Sequence, residues 1–283
     1  MNKNWMESRY TLGSIVARSK AMQQIMPEVQ KAANDNARLL IVGETGVGKK
    51  TLARAIHYSG SRAQKPFVSI PCERLTPDSV DRILFGDNGS CGILEEAAEG
   101  TLVLSGLEDL GPIAQDRILA VLREESSPDK DCDARSKNVR IMATADINAF
   151  TEALADGSFL VELHEMLSES MIEMPTLAER EVDLPYLVNA FLKEFASRER
   201  IETPSVPFHY MDLLTKVAWP ENARQLRNHL ESVMALSEGN FDPEILLAHF
   251  EEIEAPQTIR AAVHNLLSKL SGDTNLASAF GKN

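Results

Sequence analysis

Cysteine is scarce in this sequence: Cys72, Cys91 and Cys132 are the only three in 283 residues. An odd number without metal-ligand spacing excludes a disulfide framework and a zinc site, and fits a reducing, cytoplasmic compartment. No apolar run approaches the roughly eighteen residues that a membrane-spanning helix requires. The amino-terminal MNKNWMESRY has no apolar stretch after its lysine, so no secretory signal is expected. Basic charge is also short, with 29 Lys and Arg against 42 Asp and Glu for a net −13. A surface of that sign repels nucleic acid unless a basic patch is segregated, and none is evident. Direct DNA binding is not expected. The six histidines are scattered without ligand spacing. No Ser/His/Asp or Cys/His constellation, internal repeat or low-complexity tract stands out.

What is present is the composition of an ordinary globular chain, 43% hydrophobic and 25% charged, long enough for one large core and a smaller satellite. Residues 1–20 read as an arm leading into a helix from Ala21 to about Ala33, with Met22, Ile25, Met26 and Val29 on its apolar face. A buried strand, Arg38–Val42, then meets a glycine-rich turn and a helix from Lys49 to His57. Strand patterns recur at Pro66–Ile70, Thr101–Leu104 and Val139–Ala143. Strands alternating with helices predict an α/β fold with a parallel sheet covered on both faces. After Pro175 the period becomes helical throughout, over 184–198, 209–218, 222–237 and 243–253. The acidic stretch Glu124–Asn138 reads as a solvated loop, and Met166, Met171 and Met174 as core. The expected organisation is an arm over 1–20, an α/β domain over 21–178, a helical domain over 179–253 and a tail over 254–283.

The glycine-rich turn carries the chemistry. Gly43, Glu44, Thr45, Gly46, Val47, Gly48 and Lys49 follow a strand and open a helix, the setting in which this pattern binds phosphate. Its glycines let backbone N–H groups turn inward, Lys49 would reach the β/γ oxygens, and the helix dipole adds attraction. After the lysine, where a Mg²⁺-holding hydroxyl commonly stands, comes Lys50, with Thr51 one place late.

Several segments together resemble the central AAA+ domain of sigma-54-dependent transcription activators. They are GETGVGK at 43–49 with Leu52–His57, Pro66–Ser69, Leu84-Phe85-Gly86, and EEAAEGTLVL from Glu95 to Leu104. Further along come VRIMAT at 139–144, Glu179-Arg180-Glu181, and Trp219-Pro220-Glu221-Asn222-Ala223-Arg224. The resemblance runs from about Gly13 to about Leu236. It implies a three-layer αβα sandwich with a helical lid, assembling into rings with ATP between subunits. It also implies ATP or ADP as ligand, with Mg²⁺ left open, and gives Arg224 the place of the lid arginine that touches the phosphates. Without that context Arg224 would read as a surface helix arginine, and Trp219 and Pro220 read as packing residues.

The departures from the family pattern fall where hydrolysis would occur. Hydrolysis needs one carboxylate for the Mg²⁺ shell and another to orient the attacking water. The family's Asp-Glu pair is matched here by Ser105 and Gly106, with Glu108 and Asp109 a few residues on. Its switch Asn is matched by Pro71, and its γ-phosphate-sensing Asn by Asp146, an anion facing an anion. The two arginines supplied to a neighbour's ATP fall at Leu160 and Met166. The long insertion bearing GAFTGA, which engages sigma-54, is replaced by the turn Asp87–Gly92. The tail, Thr258–Gly281, resembles the first half of a helix-turn-helix and reads equally as an ordinary amphipathic helix. The resemblance therefore implies an ATP- or ADP-binding pseudo-ATPase, a possible homo- or hetero-oligomer, that regulates transcription by contact with an intact activator. Its rivals are a slow ATPase using Glu108 or Asp109, and a structural protein whose glycine loop is only a turn.

Overall fold

The computed structural model describes residues 11–87, 90–123 and 138–236. The chain divides after Thr176 into two compact units. In the first, the described strands are β1 (Leu39–Gly43), β2 (Phe67–Pro71), β3 (Gly86–Asp87), β4 (Ser90–Cys91), β5 (Thr101–Ser105), β6 (Arg140–Asp146) and β7 (Ser170–Glu173). Five of them form a parallel sheet in the order β2-β5-β6-β1-β7, while β3 and β4 make a separate antiparallel pair. The helices are α1 (Lys20–Asn34), α2 (Lys49–Ser59), α3 (Val80–Phe85), α4 (Ile93–Glu96), α5 (Pro112–Leu122), α6 (Ile147–Ala155) and α7 (Val161–Leu167).

Alternation along the strands builds two cores. Leu39 and Ile41 of β1 join Val103, Met142 and Ile172 against Val29 of α1 and Leu52, Ala53 and Ile56 of α2. Leu40 and Val42 point the other way, with Leu102, Leu104, Ile141 and Ala143, against Ile118, Phe150 and Leu163 of α5, α6 and α7. Every residue of β1 is buried, as a central strand covered on both faces requires. Each such Leu or Ile contributes about 1.5–3 kcal/mol by leaving water. The result is a three-layer αβα sandwich.

Polar ties fasten the layers. The buried Arg140 guanidinium donates to Ala32 O at 2.7 Å and Ala37 O at 3.2 Å, joining the end of α1 to β6. Burial lowers its pKa to about 10, so it stays charged near neutrality. His57 of α2 meets Thr101 Oγ1 at 2.9 Å and Lys65 O at 3.2 Å, and burial lowers its pKa to about 4. Arg62 donates to Glu99 O, Gly100 O and Asn138 O, stitching the segments that enter β5 and β6.

Most strands sit within a residue or two of their expected ends; β6 runs on to Asp146. Edge strand β7 was not anticipated, and it corrects the reading of the methionines. Met174 is buried and Met166 half-buried, but Met171 of β7 is 52% exposed.

The second unit contains α8 (Leu184–Glu199), α9 (Phe208–Lys216) and α10 (Asn222–Leu236). Val188, Leu192, Tyr210, Leu214, Trp219, Leu226 and Leu230 form its core. Trp219 Nε1 donates to Leu214 O at 3.0 Å and Tyr210 Oη lies 2.6 Å from His229 Nε2. Asn222 starts α10 with left-handed backbone (φ 53°), and its buried Oδ1 accepts from Leu177 N at 2.7 Å. Arg180 and Asp183 form a buried ion pair at 3.1 Å. The helix expected over 243–253, the tail 254–283, residues 1–10 and nearly all of the acidic loop lie outside the described residues.

Candidate nucleotide-binding site

The carboxyl ends of the parallel strands converge on the glycine loop. Gly43 closes β1 beside Asp146 of β6. Its φ of 147° and its approach to β7, where an added Cβ would stand 2.8 Å from Met174 O, leave room for glycine only. Gly46 (φ 76°) and Gly48 (φ 107°) are also in the left-handed region and fold the loop back on itself. Val47 is buried between them and anchors the loop to the core with Ile41 and Leu52. Gly48 then N-caps α2 and, having no side chain, makes no capping hydrogen bond to its first-turn N–H groups. These are the elements of a phosphate cradle, and the residues present fit a nucleotide's phosphates.

Lys49 is half-buried, and its Nζ donates to Gly43 O at 2.6 Å and Glu44 O at 2.8 Å. The ammonium thus lies across the loop, where an incoming phosphate would compete with two carbonyls for it. Thr45, Lys50 and Thr51 are exposed, and Glu44 is half-buried. Desolvation, with help from Arg54, holds the Lys50 ammonium below its ordinary pKa. Arg224 is exposed in the first turn of α10, in the second unit.

The strand ends beside the loop carry an unexpected arrangement. Ser105 closes β5, with its Oγ 3.4 Å from Ser69 Oγ. Gly106 is left-handed (φ 80°) and donates its N–H to Thr144 O of β6 at 2.9 Å. A 3₁₀ turn, Leu107–Asp109, follows at once and folds both acids back over Gly106. A Cβ at Gly106 would lie 2.8 Å from Asp109 Oδ2 and 3.8 Å from Glu108 Oε1. Both carboxylates thus lie over the end of β5, although they stand three and four residues past Ser105 in the chain. Glu108 Oε2 is buried without a hydrogen-bond partner. Burial raises the Glu108 pKa, opposed by N–H donors of Glu108 and Asp146 and by the charge of Lys49. Buried Cys72 lies near both acids, and burial above all pushes its thiol far up.

Asp146 has a local role at the end of β6. Its Oδ1 accepts from Asn148 N at 3.1 Å and Ala149 N at 3.3 Å, capping α6. The carboxylate thus caps its own helix. Leu160 is 37% exposed and is followed by Val161 at 59%. Buried Gln115 holds this corner, accepting from Leu160 N at 2.7 Å and donating to Leu110 O and Ser158 O. Glu162 is paired with Arg123. In place of a long insertion the chain has the β3–β4 pair, Gly86–Asp87 against Ser90–Cys91. Among the described residues no group of His, Cys, Asp and Glu is arranged to hold a metal ion, and no helix is long and apolar enough to cross a membrane.

Residues 15–173 match the sigma-54 interaction domain, and residues 178–262 match the AAA+ ATPase lid domain. The first match alone covers more than half of the chain. The chain belongs to the sigma-54 interaction domain family. It is similar to the nitrogen assimilation regulatory protein NtrX of Azorhizobium caulinodans, 36% identical over 82% of this chain and 52% of that protein. It is 34% identical to the transcriptional regulatory protein ZraR of Escherichia coli K12, over 81% of this chain and 54% of that one. The crystal structure of NtrX from Brucella abortus in complex with ATP superposes with a TM-score of 0.70 at 35% identity, covering 79% of this chain and 50% of that chain. The same NtrX has been solved with ADP. This sigma-54 interaction domain chain thus spans about half the length of the curated relatives it matches.

Proposed function

We propose that this chain binds ATP or ADP without turning it over and acts in transcriptional control by contact with an intact sigma-54 activator. One juxtaposition carries the reading: a phosphate cradle with Lys49 closes β1, and two strands away, across β6, the β5 end offers Ser105 and Gly106. Gly43–Lys49 supplies the backbone N–H groups and the ammonium, Lys50 and Thr51 open the helix, and Arg224 is the lid contact. The complexes of NtrX with ATP and ADP support the choice of ligand. Mg²⁺ would neutralise the phosphates, but the usual acid is Ser105 and Thr51 faces solvent. Leu160 and Met166 offer a neighbouring subunit's nucleotide no positive charge, so its transition state would go unstabilised. The β3–β4 pair is too short to present a sigma-54-contacting tip. The absence of a segregated basic patch in the sequence supports protein contact rather than DNA binding. Subunits of a mixed ring, with this chain among them, are the form this reading favours.

A second reading is favoured by the turn at Gly106: a slow ATPase in which Glu108 or Asp109, folded back to the strand end, orients water. Nucleotide titration and steady-state phosphate release, measured on one preparation, test both. Micromolar binding with release at background supports the first reading; turnover on the order of 1 s⁻¹, at the low end of ordinary enzymes, overturns it.

A further inference from the structure

We propose that Glu108 makes this site selective for a nucleoside diphosphate over the triphosphate. The inference rests on the nucleotide reading above and deepens it. In a loop of this kind the helix amides take the inner phosphates and the lysine reaches the outer ones. The terminal phosphate then lies beyond Lys49, toward the carboxyl ends of the strands that flank the loop. Glu108 stands there: its carboxyl lies within electrostatic reach of the Asp146 N–H and of Lys49, and Asp146 is the β6 residue paired with Gly43, where the loop begins.

Glu108 reaches this place because Gly106 is left-handed and the 3₁₀ turn begins directly after it. With no side chain at 106, the carboxylates of Asp109 and Glu108 close over the backbone, 2.8 Å and 3.8 Å from the missing Cβ. Glu108 Oε2 is buried and no described group donates to it. Lys49 is the cation acting on Glu108, and Asp109 adds a second negative charge nearby. A third phosphate would bring further negative charge against a partly desolvated carboxylate, with Ser105 where a metal-holding acid would otherwise help to neutralise it. At such separations and effective dielectric, one extra charge shifts affinity on the order of tenfold or more. A diphosphate ends before that point and keeps the cradle and Lys49.

The test is titration of the full chain with ADP and with ATP, for the wild type and for Glu108→Gln, which keeps the size and removes the charge. We expect ADP to bind at least about tenfold tighter than ATP in the wild type. Glu108→Gln should narrow the ratio to within about threefold by tightening ATP more than ADP, and a thermal melt of the variant checks that it is folded. Equal wild-type affinities, or a ratio that Glu108→Gln leaves alone, overturn the proposal and leave nucleotide binding standing. Phosphate release that Glu108→Gln abolishes also overturns it, in favour of Glu108 as the water-orienting group. Binding of neither nucleotide overturns the nucleotide reading itself, and this inference with it.

Discussion

Lys49 Nζ donates to Gly43 O at 2.6 Å, so the cation of the phosphate loop is held by the residue that starts that loop. The contact sets the ammonium at the mouth of the cradle, and a bound phosphate would take over a charge-assisted hydrogen bond of about 1.5–3 kcal/mol. Lys49→Ala should therefore weaken ADP and ATP at least on the order of tenfold to a hundredfold, to the limit of detection if wild-type affinity is micromolar. Because these two Nζ bonds go to carbonyls of the loop itself and not to the sheet core, the melting temperature should move little. Isothermal titration and thermal melts on the same variant check both; unchanged affinity means that phosphate binds elsewhere.

His57 predicts a pH dependence of stability. Its pKa is lowered by burial from 6.5 to about 4, so the folded form takes up its proton later than the unfolded one. The stability that neutral His57 contributes is complete above about pH 6.5, declines as pH falls below that value, and is lost by about pH 4. His57→Gln, whose amide can still meet Thr101 Oγ1, should flatten that part of the curve relative to wild type. Urea midpoints between pH 7 and pH 4 give the comparison, and parallel curves would refute the assignment.

Gln115 is buried at the corner that holds Leu160, with hydrogen bonds to Leu110 O, Ser158 O and Leu160 N. Gln115→Ala leaves two carbonyls and an amide to find other partners, and the unfolding free energy should fall by about 2–4 kcal/mol. Chemical denaturation measures it. A loss under about 0.5 kcal/mol, the range of an ordinary surface change, would show that water or a shifted backbone satisfies these groups.

The central sheet was legible because β1, β5 and β6 are apolar runs buried on both faces, and the phosphate loop because its glycines keep fixed spacing between strand and helix. Edge strand β7 was not, since only Ile172 of Ser170–Glu173 is buried and Met171 faces out. An edge strand so short leaves almost no periodic trace. The place of Glu108 is not legible in the sequence for a geometric reason: distance along the chain says nothing of a left-handed Gly106 that reverses direction. The Asp146 cap is legible locally, since the Asp-Ile-Asn-Ala run has the form of a helix start. Arg224 rests on its motif alone.

At a sigma-54 promoter the isolated protein should fail to produce open complexes with any nucleotide. The motivation is the β3–β4 pair, two residues on each side, where a long contacting loop would be expected. An in vitro transcription assay with sigma-54 holoenzyme reads this directly. Transcript above the no-activator control would mean that another surface engages sigma-54.

Mixed assembly with an intact activator is the furthest-reaching expectation. The described residues hold a five-stranded sheet covered on both faces and a packed helical unit around Trp219. Leu160, in contrast, presents an exposed apolar side chain where the family pattern supplies an arginine to the next subunit. A subunit of this kind entering a ring leaves its neighbour's ATP without that charge, so adding it to an intact activator should lower the activator's ATPase rate in proportion to dose. Leu160→Arg together with Met166→Arg should relieve the inhibition without affecting co-elution. Reversing Glu162 instead also breaks its pairing with Arg123, and so tests the corner as well as the contact. A flat activator rate across a wide excess of this protein, with no co-elution, would place the partner outside the family.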